Sequence, residues 1–533
     1  MGKIQIQSIL GGHAPTTQFA GKGQFRASLG IDPSQPIDDN DTVYSTIASG
    51  LLRPAASEKF SSSTITSAPL WMQANPKNAL VYVYDAKSSA YTIASDFATV
   101  TALADAGTLS GLGNGFEYYD NYMYFATATD ITRYGPLNGS PGWVNSYWVA
   151  GLSKGALTDT VYPYSFKNNI RLPNHFLKRH SDGKLYIADV VGNNGTLHYI
   201  RTTKTTVEGD TNNGSTANAL TLGYGLYPTA IESYQTSVAV ALYEGSNANI
   251  RQTRAKIAFW DTTSSAFNTI TWAEYPDNLI TAMKNVNGVL YVVSGNINAR
   301  GFRITKFVGG YSFTEVYYSE VGEPCLPGAI DALLNRVLLG SHTTVPEADG
   351  CVWSNGLEKN ALGGGLFNVM RATGATGSTS VTCVLVADND ELGFVVPIIG
   401  WTQAGDGSTG ISHGLDKQLT TYSNAPSVFW SETYRIGQPF KITSIRIPLA
   451  QAIAANMILT AKIYTDEGSG TTYTYQTINN TLYSGKKNIR LYSDANGTAP
   501  TGDHSFWLEL KWTGSALCVV NLPIEINFEL VDD

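Results

Sequence analysis

Residues 151–155 read GLSKG, a G-x-S-x-G pattern that on a tight strand-to-helix turn would raise Ser153 as a nucleophile. The surrounding sequence is strand-like and no helical period follows it, so Ser153 is expected to be an ordinary loop residue. The seven histidines are His13, His175, His180, His198, His342, His413 and His504. His175, His180 and His198 fall in one strand-rich stretch, but their flanks, NHFLKRHSDG and TLHYIR, lack the carboxylate spacing of a metal triad. No metal site is expected. A glycosidase would need two carboxyl groups a few ångströms apart. The candidates Asp182, Asp189, Glu232, Glu244, Asp331 and Asp388 fall mostly in turn sequence, where Asp is favoured for bonding the local backbone. The polar run DTNNGSTAN at 210–218 has no calcium-loop pattern and reads as a loop. No enzymatic activity and no cofactor are expected.

Exposed aromatic residues are the remaining chemical signal. Trp507 and Tyr464 lie on the polar phase of their strands, and Tyr473 and Tyr475 share one face of TTYTYQ. Such rings stack on sugars or pack against a neighbouring subunit.

At 533 residues the chain is long enough for two or three cores. Its 52 glycines, 30 tyrosines and charged fraction of only 15% favour an all-β fold. A formal charge of −8 without a basic cluster argues against a nucleic-acid surface, which needs concentrated Lys and Arg. Cys325, Cys351, Cys383 and Cys518 form no C-x-x-C pair and read as buried thiols. The opening MGKIQIQSILGGHAP has no cleavage-type signal, and no run of about 18 apolar residues occurs. The expectation is a soluble chain, neither membrane-inserted nor exported through a signal peptide.

A turn-plus-strand element recurs in DNYMYFATA, DGKLYIADV and NGVLYVVSG, and more weakly in TSVAVALYE, LNRVLLGSH and NDELGFVVP. Its equivalent positions are Tyr124, Tyr186, Val240, Tyr291, Leu338 and Gly393. Repetition about every 50 residues, with four strand-like runs per unit, is the pattern of a β-propeller blade. NALVYVYDAKSSAYTI at 78–93 resembles RAKIAFWDTTSSAFNTI, the last two strands of the fullest unit, and the final repeat supplies only two strands. Six blades are therefore expected over 79–398, with residues 79–94 completing the blade of 380–398. Residues 1–78 have too little patterned apolar sequence for a core and read as an extended arm. Its spaced anchors Phe19, Phe25, Leu51 and Phe60 would dock on another subunit. Residues 399–426 read as a linker. From 427 to 533, alternating strands such as SFWLELKW and PIEINFEL indicate a β-sandwich of jelly-roll type.

Three stretches, GGHAPTTQFAGKGQFRASLGIDP, SGLLRPAASEKF and YRIGQPFKITSIRIPLAQAIAANM, resemble virion proteins of tailed bacteriophages, which similarly join an irregular arm, a propeller-like body and a β-sandwich. The resemblance implies a structural subunit of the tail or tail tip in the virion, assembled in the host cytoplasm. Its partners would be copies of itself, neighbouring virion proteins and a host surface glycan. It carries no catalytic residue across. The alternative from composition is a carbohydrate-binding or carbohydrate-active propeller with a sugar-binding sandwich.

Overall fold

The computed structural model describes residues 2–7, 12–13, 24–29, 31, 51–52, 54–60 and, from 65 to 531, all but short segments, the longest of which are 149–164, 201–214, 245–253, 357–365 and 404–411. Ser153 and the 210–214 part of the polar run lie outside the described residues, as do His175 and Phe19.

Seven four-stranded antiparallel sheets follow one another along the chain. Their innermost strands are Pro69–Ala74, Phe116–Tyr119, Phe176–Arg179, Leu226–Tyr234, Leu279–Val286, Ile330–Leu333 and Thr379–Asn389, and we number blades 1 to 7 by them. Each innermost strand lies beside the next, and Thr379–Asn389 lies beside Pro69–Ala74, so the ring closes. This is a β-propeller. The blades cohere through apolar side chains buried at consecutive positions of the inner strands, on both faces of each sheet, that interdigitate with neighbouring sheets, as where Tyr84 meets Phe125 edge-on at 5.3 Å and Phe259 stacks on Phe307 at 4.7 Å. Blades 6 and 1 approach so closely that a Cβ at Gly328 would stand 2.0 Å from the Leu70 carbonyl oxygen.

The expected six blades become seven because 79–94 do not complete blade 7. Val81–Asp85 and Ala90–Ile93 are the second and third strands of a whole blade 1, whose first strand is Pro69–Ala74. The likeness of DAKSSAY to DTTSSAF is turn chemistry. Asp85 Oδ1 accepts from the Ser89 amide at 2.8 Å, and Asp261 Oδ1 accepts from those of Thr263 and Ser264 at 2.9 and 2.7 Å. An aspartate cap of this kind fits any hairpin, whichever strands it joins.

The two chain ends do share a blade, through other strands. Ala56–Lys59 is the outermost strand of blade 7, paired with Ser412–Leu419 from Asp416↔Lys59 to Leu419↔Ala56. Blade 7 also contains Phe394–Gln403, so the described parts of the expected linker at 399–426, residues 399–403 and 412–419, are propeller strand. Trp401, inside the expected linker, is in the core of that blade. A Cβ at Gly374 or Gly414 would strike its ring at 2.1 or 2.4 Å, and Lys59 lies over it at 5.7 Å.

The C-terminal region consists of two antiparallel sheets that contribute to one apolar cluster. One runs Gly2–Ile6, Ile524–Leu530, Phe440–Pro448, Asn488–Leu491; the other runs Ala27–Leu29, Ser427–Trp430, Ser505–Trp512, Ile458–Thr465, Thr472–Thr474. Phe506, Leu508, Leu510 and Trp512 are buried on one face, as the alternation of SFWLELKW predicts. Ile524 and Ile526 are buried likewise, whereas Leu530, expected to face inward, is half-exposed near the end of the described chain.

The expected arm is instead part of its own chain. Gly2–Ile6 and Ala27–Leu29 are strands of the two C-terminal sheets, Leu51–Leu52 pairs with Val520–Asn521, and Ala56–Lys59 closes the propeller. Phe25 is buried against Phe367 of blade 6 and Phe429 of the C-terminal region, at 5.9 and 5.7 Å. Phe60 is buried beside Leu415, whose carbonyl its amide bonds. Phe25 and Phe60 thus fill sites within their own chain, whereas the side chains of Phe19 and Leu51 lie outside the described residues. All four cysteines are buried free thiols. No helix among the described residues is long and apolar enough to cross a membrane.

Candidate functional site: a charged belt on the propeller axis

Five consecutive blades place a charged residue at the same level of their innermost strand: Glu117, Lys178, Glu232, Lys284 and Asp331. Each stands two to three residues before its hairpin tip, and signs alternate around the ring. Glu117 of blade 2 interacts electrostatically with Lys284 of blade 5, and Lys178 of blade 3 with Asp331 of blade 6. Residues three blades apart reach each other only across the axis, so these side chains point into the central channel.

Two ion pairs account for four of the five. Lys178 Nζ lies 3.0 Å from Glu232 Oε2, and Lys284 Nζ lies 2.6 Å from Asp331 Oδ1. Asp331 also accepts the Ala332 and Val386 amides at 2.8 and 2.7 Å, which ties blade 6 to blade 7. Glu117 is left over. It is 9% exposed and accepts from the amide of Tyr118, with no hydrogen bond or ion pair to another side chain among the described residues. Burial pushes its carboxyl above the ordinary carboxylate range; Lys178 opposes this and Glu232 adds to it. For Lys178, burial favours the neutral amine, but Glu232 and Glu117 outweigh it and hold the ammonium well above its usual value.

The rim of the belt is stitched at the hairpin tips. Tyr119 donates to the Gly183 carbonyl at 2.7 Å, His180 Nδ1 meets Ser233 Oγ at 2.7 Å, Asn285 donates to the Ser233 carbonyl at 3.1 Å, and Asn287 donates to the Leu334 carbonyl at 3.2 Å. These bonds link blades 2 to 6 in series and fix the spacing of the charges. The belt has hydrogen-bond acceptors and donors of both charges, and suits ligand binding or proton exchange.

A raised carboxyl has a definite linkage sign. The folded protein binds the proton of Glu117 more tightly than the unfolded chain, so ionised Glu117 lowers stability above its folded pKa and the cost vanishes below the unfolded value. Glu117→Gln is therefore expected to stabilise the protein at neutral pH by on the order of 1 kcal/mol. Urea unfolding at neutral and mildly acidic pH should show that gain shrinking on acidification.

Of the carboxylates seen in the sequence, Glu232 and Asp331 meet in the belt. Asp182 bonds Tyr186 and Lys184 within its turn, Glu244 pairs with Lys256, and the Asp388 side chain lies outside the described residues. Glu117, Lys178 and Lys284 were missed. A signal exists: each belt residue precedes its repeat position by seven or eight residues, as Glu117 precedes Tyr124 and Lys284 precedes Tyr291.

The expected aromatic platform is rearranged. Tyr464 and Trp507 are cross-strand partners stacked at 3.9 Å and 2°, and Arg26 lies over Trp507 at 4.6 Å. The strand order puts Arg26 and Tyr464 on opposite sides of Trp507, so both ring faces are taken. Glu509 accepts from Trp430 Nε1 at 2.9 Å and from Tyr464 at 3.2 Å. Tyr473 is half-buried, its hydroxyl 3.1 Å from Thr501. Tyr475 is 1% exposed and belongs to the core; it lies just past the strand Thr472–Thr474, in an isolated bridge with Asp494.

No family model matches the chain, and no curated protein matches it. Solved structures similar to it include the WD40 domain of Neurospora crassa Pan2 (9% identity, 68% of this chain and 94% of that one, TM-score 0.40) and YCF48 bound to D1 peptide (9%, 72% and 97%, 0.40). A third is the β-propeller domain of Myceliophteria thermophila Cps50 (Swd1) (8%, 68% and 98%, 0.38). These likenesses concern the fold alone.

Proposed function

We propose that the chain is a non-enzymatic structural subunit of a tailed-bacteriophage particle, placed in the tail or tail tip, that works through contacts with its own copies and neighbouring virion proteins and takes part in host adhesion. The sequence resemblance supplies the virion context. One observation supports the mechanical part of the reading: strands from residues 2–59 enter both C-terminal sheets and complete the propeller. A chain stitched in this way transmits force between its parts without a hinge, which suits an assembled particle. We read the two C-terminal sheets as a jelly-roll sandwich presenting the polar Glu525 and Arg446 face outward. A glycan-binding role is the competing reading, and the occupied faces of Trp507 speak for the structural one.

Purified phage particles from the producing host provide the test. The chain should co-sediment with intact particles in fixed stoichiometry and be released only when they are dismantled. A chain found only in the free fraction, or glycan binding lost on Trp507→Ala, would overturn this reading.

A further inference from the structure

We propose that the propeller axis is a binding site for one small organic monocation, a primary ammonium or guanidinium, seated on Glu117. The belt holds three carboxylates and two ammoniums. Lys178 pairs with Glu232 and Lys284 with Asp331, so one negative charge remains, on the one member that has no side-chain partner. A buried carboxylate that makes no ion pair of its own and shares Lys178 with Glu232 is left under-compensated, which is costly. Two occupants can relieve it: a proton, or a cation with N–H donors. The four other belt side chains keep 7–25% of their surface exposed, so solvent reaches this level. The stitched rim between blades 2 and 6 resists opening, which limits the occupant to small molecules. An anion is excluded by the three carboxylates, and a dication would overbalance a single unmatched charge.

The same electrostatics make binding pH-dependent in a definite direction. The ligand and the proton compete for Glu117, so affinity should fall as pH drops through the titration of that carboxyl and level off above it. This site does not depend on the virion reading.

Titration calorimetry on the full chain with n-butylammonium and methylguanidinium, at ionic strength held constant with sodium chloride, tests the proposal. Tetramethylammonium, which has the charge but no N–H donor, is the control. The expected result is one site per chain, affinity at least about tenfold weaker for tetramethylammonium, and loss of about tenfold or more in Glu117→Gln. Glu117→Gln is expected to fold, and the fall in affinity of the unaltered protein on acidification reads the same site without a substitution. Absence of binding by both N–H cations, equal binding by tetramethylammonium, or affinity indifferent to Glu117→Gln and to pH would each overturn the proposal.

Discussion

A chain lacking residues 1–60 should lose cooperative unfolding and aggregate. Four side chains in that segment, Phe25, Ile31, Leu52 and Phe60, are at most 3% exposed, all against the rest of the chain. Burying each contributes about 1.5–3 kcal/mol, or about 6–12 kcal/mol together. That rivals the whole stability of a typical domain, about 5–15 kcal/mol. The deletion also bares the edge of Ser412–Leu419 in blade 7 and of Ser427–Trp430 and Ile524–Leu530 in the C-terminal sheets. Open edges of this length pair with other copies. A gentler probe is Phe25→Ala, which empties a site between Phe367 and Phe429 and should cost about 3–5 kcal/mol. Urea unfolding followed by circular dichroism reads both variants. A soluble 61–533 chain with an unchanged midpoint would refute the intramolecular role of the segment.

Lys178→Met should destabilise the protein by about 3 kcal/mol at neutral pH, the lower end of the range for breaking a buried pair. The lower end applies because the Lys178 side chain keeps 22% of its surface exposed and some screening with it. Its removal strands Glu232, 3.0 Å away in the intact protein, beside Glu117 with no ammonium to separate them. The signature is the pH dependence: the loss should shrink on acidification, because protonating the stranded carboxylates removes their repulsion. Substituting Met at a surface lysine such as Lys441, half-exposed and 3.7 Å from Glu529, should change stability by less than about 1 kcal/mol. Equal losses at neutral and acidic pH would mean that Lys178 contributes through packing alone.

The propeller was legible because its hairpin tips repeat: Asp120, Asp182 and Asn287 head near-identical strands, and local turn chemistry leaves a strong mark in sequence. The blade count was not, for the same reason. The Asp85 and Asp261 turns look alike though they follow different strands of their blades, and Pro69–Ala74 has no distinctive turn before it. Residues 1–60 looked unable to fold because their strands are two to five residues long and, apart from the short pair Gly12–His13 with Gln24–Phe25, join strands hundreds of residues away, as Gly2 does with Phe528. Such pairing has no local period to read. Trp507 and Tyr464 were recognised on the outward phase, but cross-strand registration, which stacks one on the other, is set by both strands at once. The belt escaped notice because its members belong to five blades and meet only around a closed ring.

Hydrogen exchange of the backbone amides in a monodisperse monomer tests most directly whether the N-terminal strands are built into their own chain. Amides of Gly2–Ile6 that face Ile524–Leu530, and those of Ala56–Lys59 that face Ser412–Leu419, should exchange as slowly as the propeller strands they extend. Exchange of both segments at the rate of an unstructured peptide, while Val238–Leu242 in blade 4 stays protected, would contradict it and return residues 1–60 to the role of an arm for another subunit.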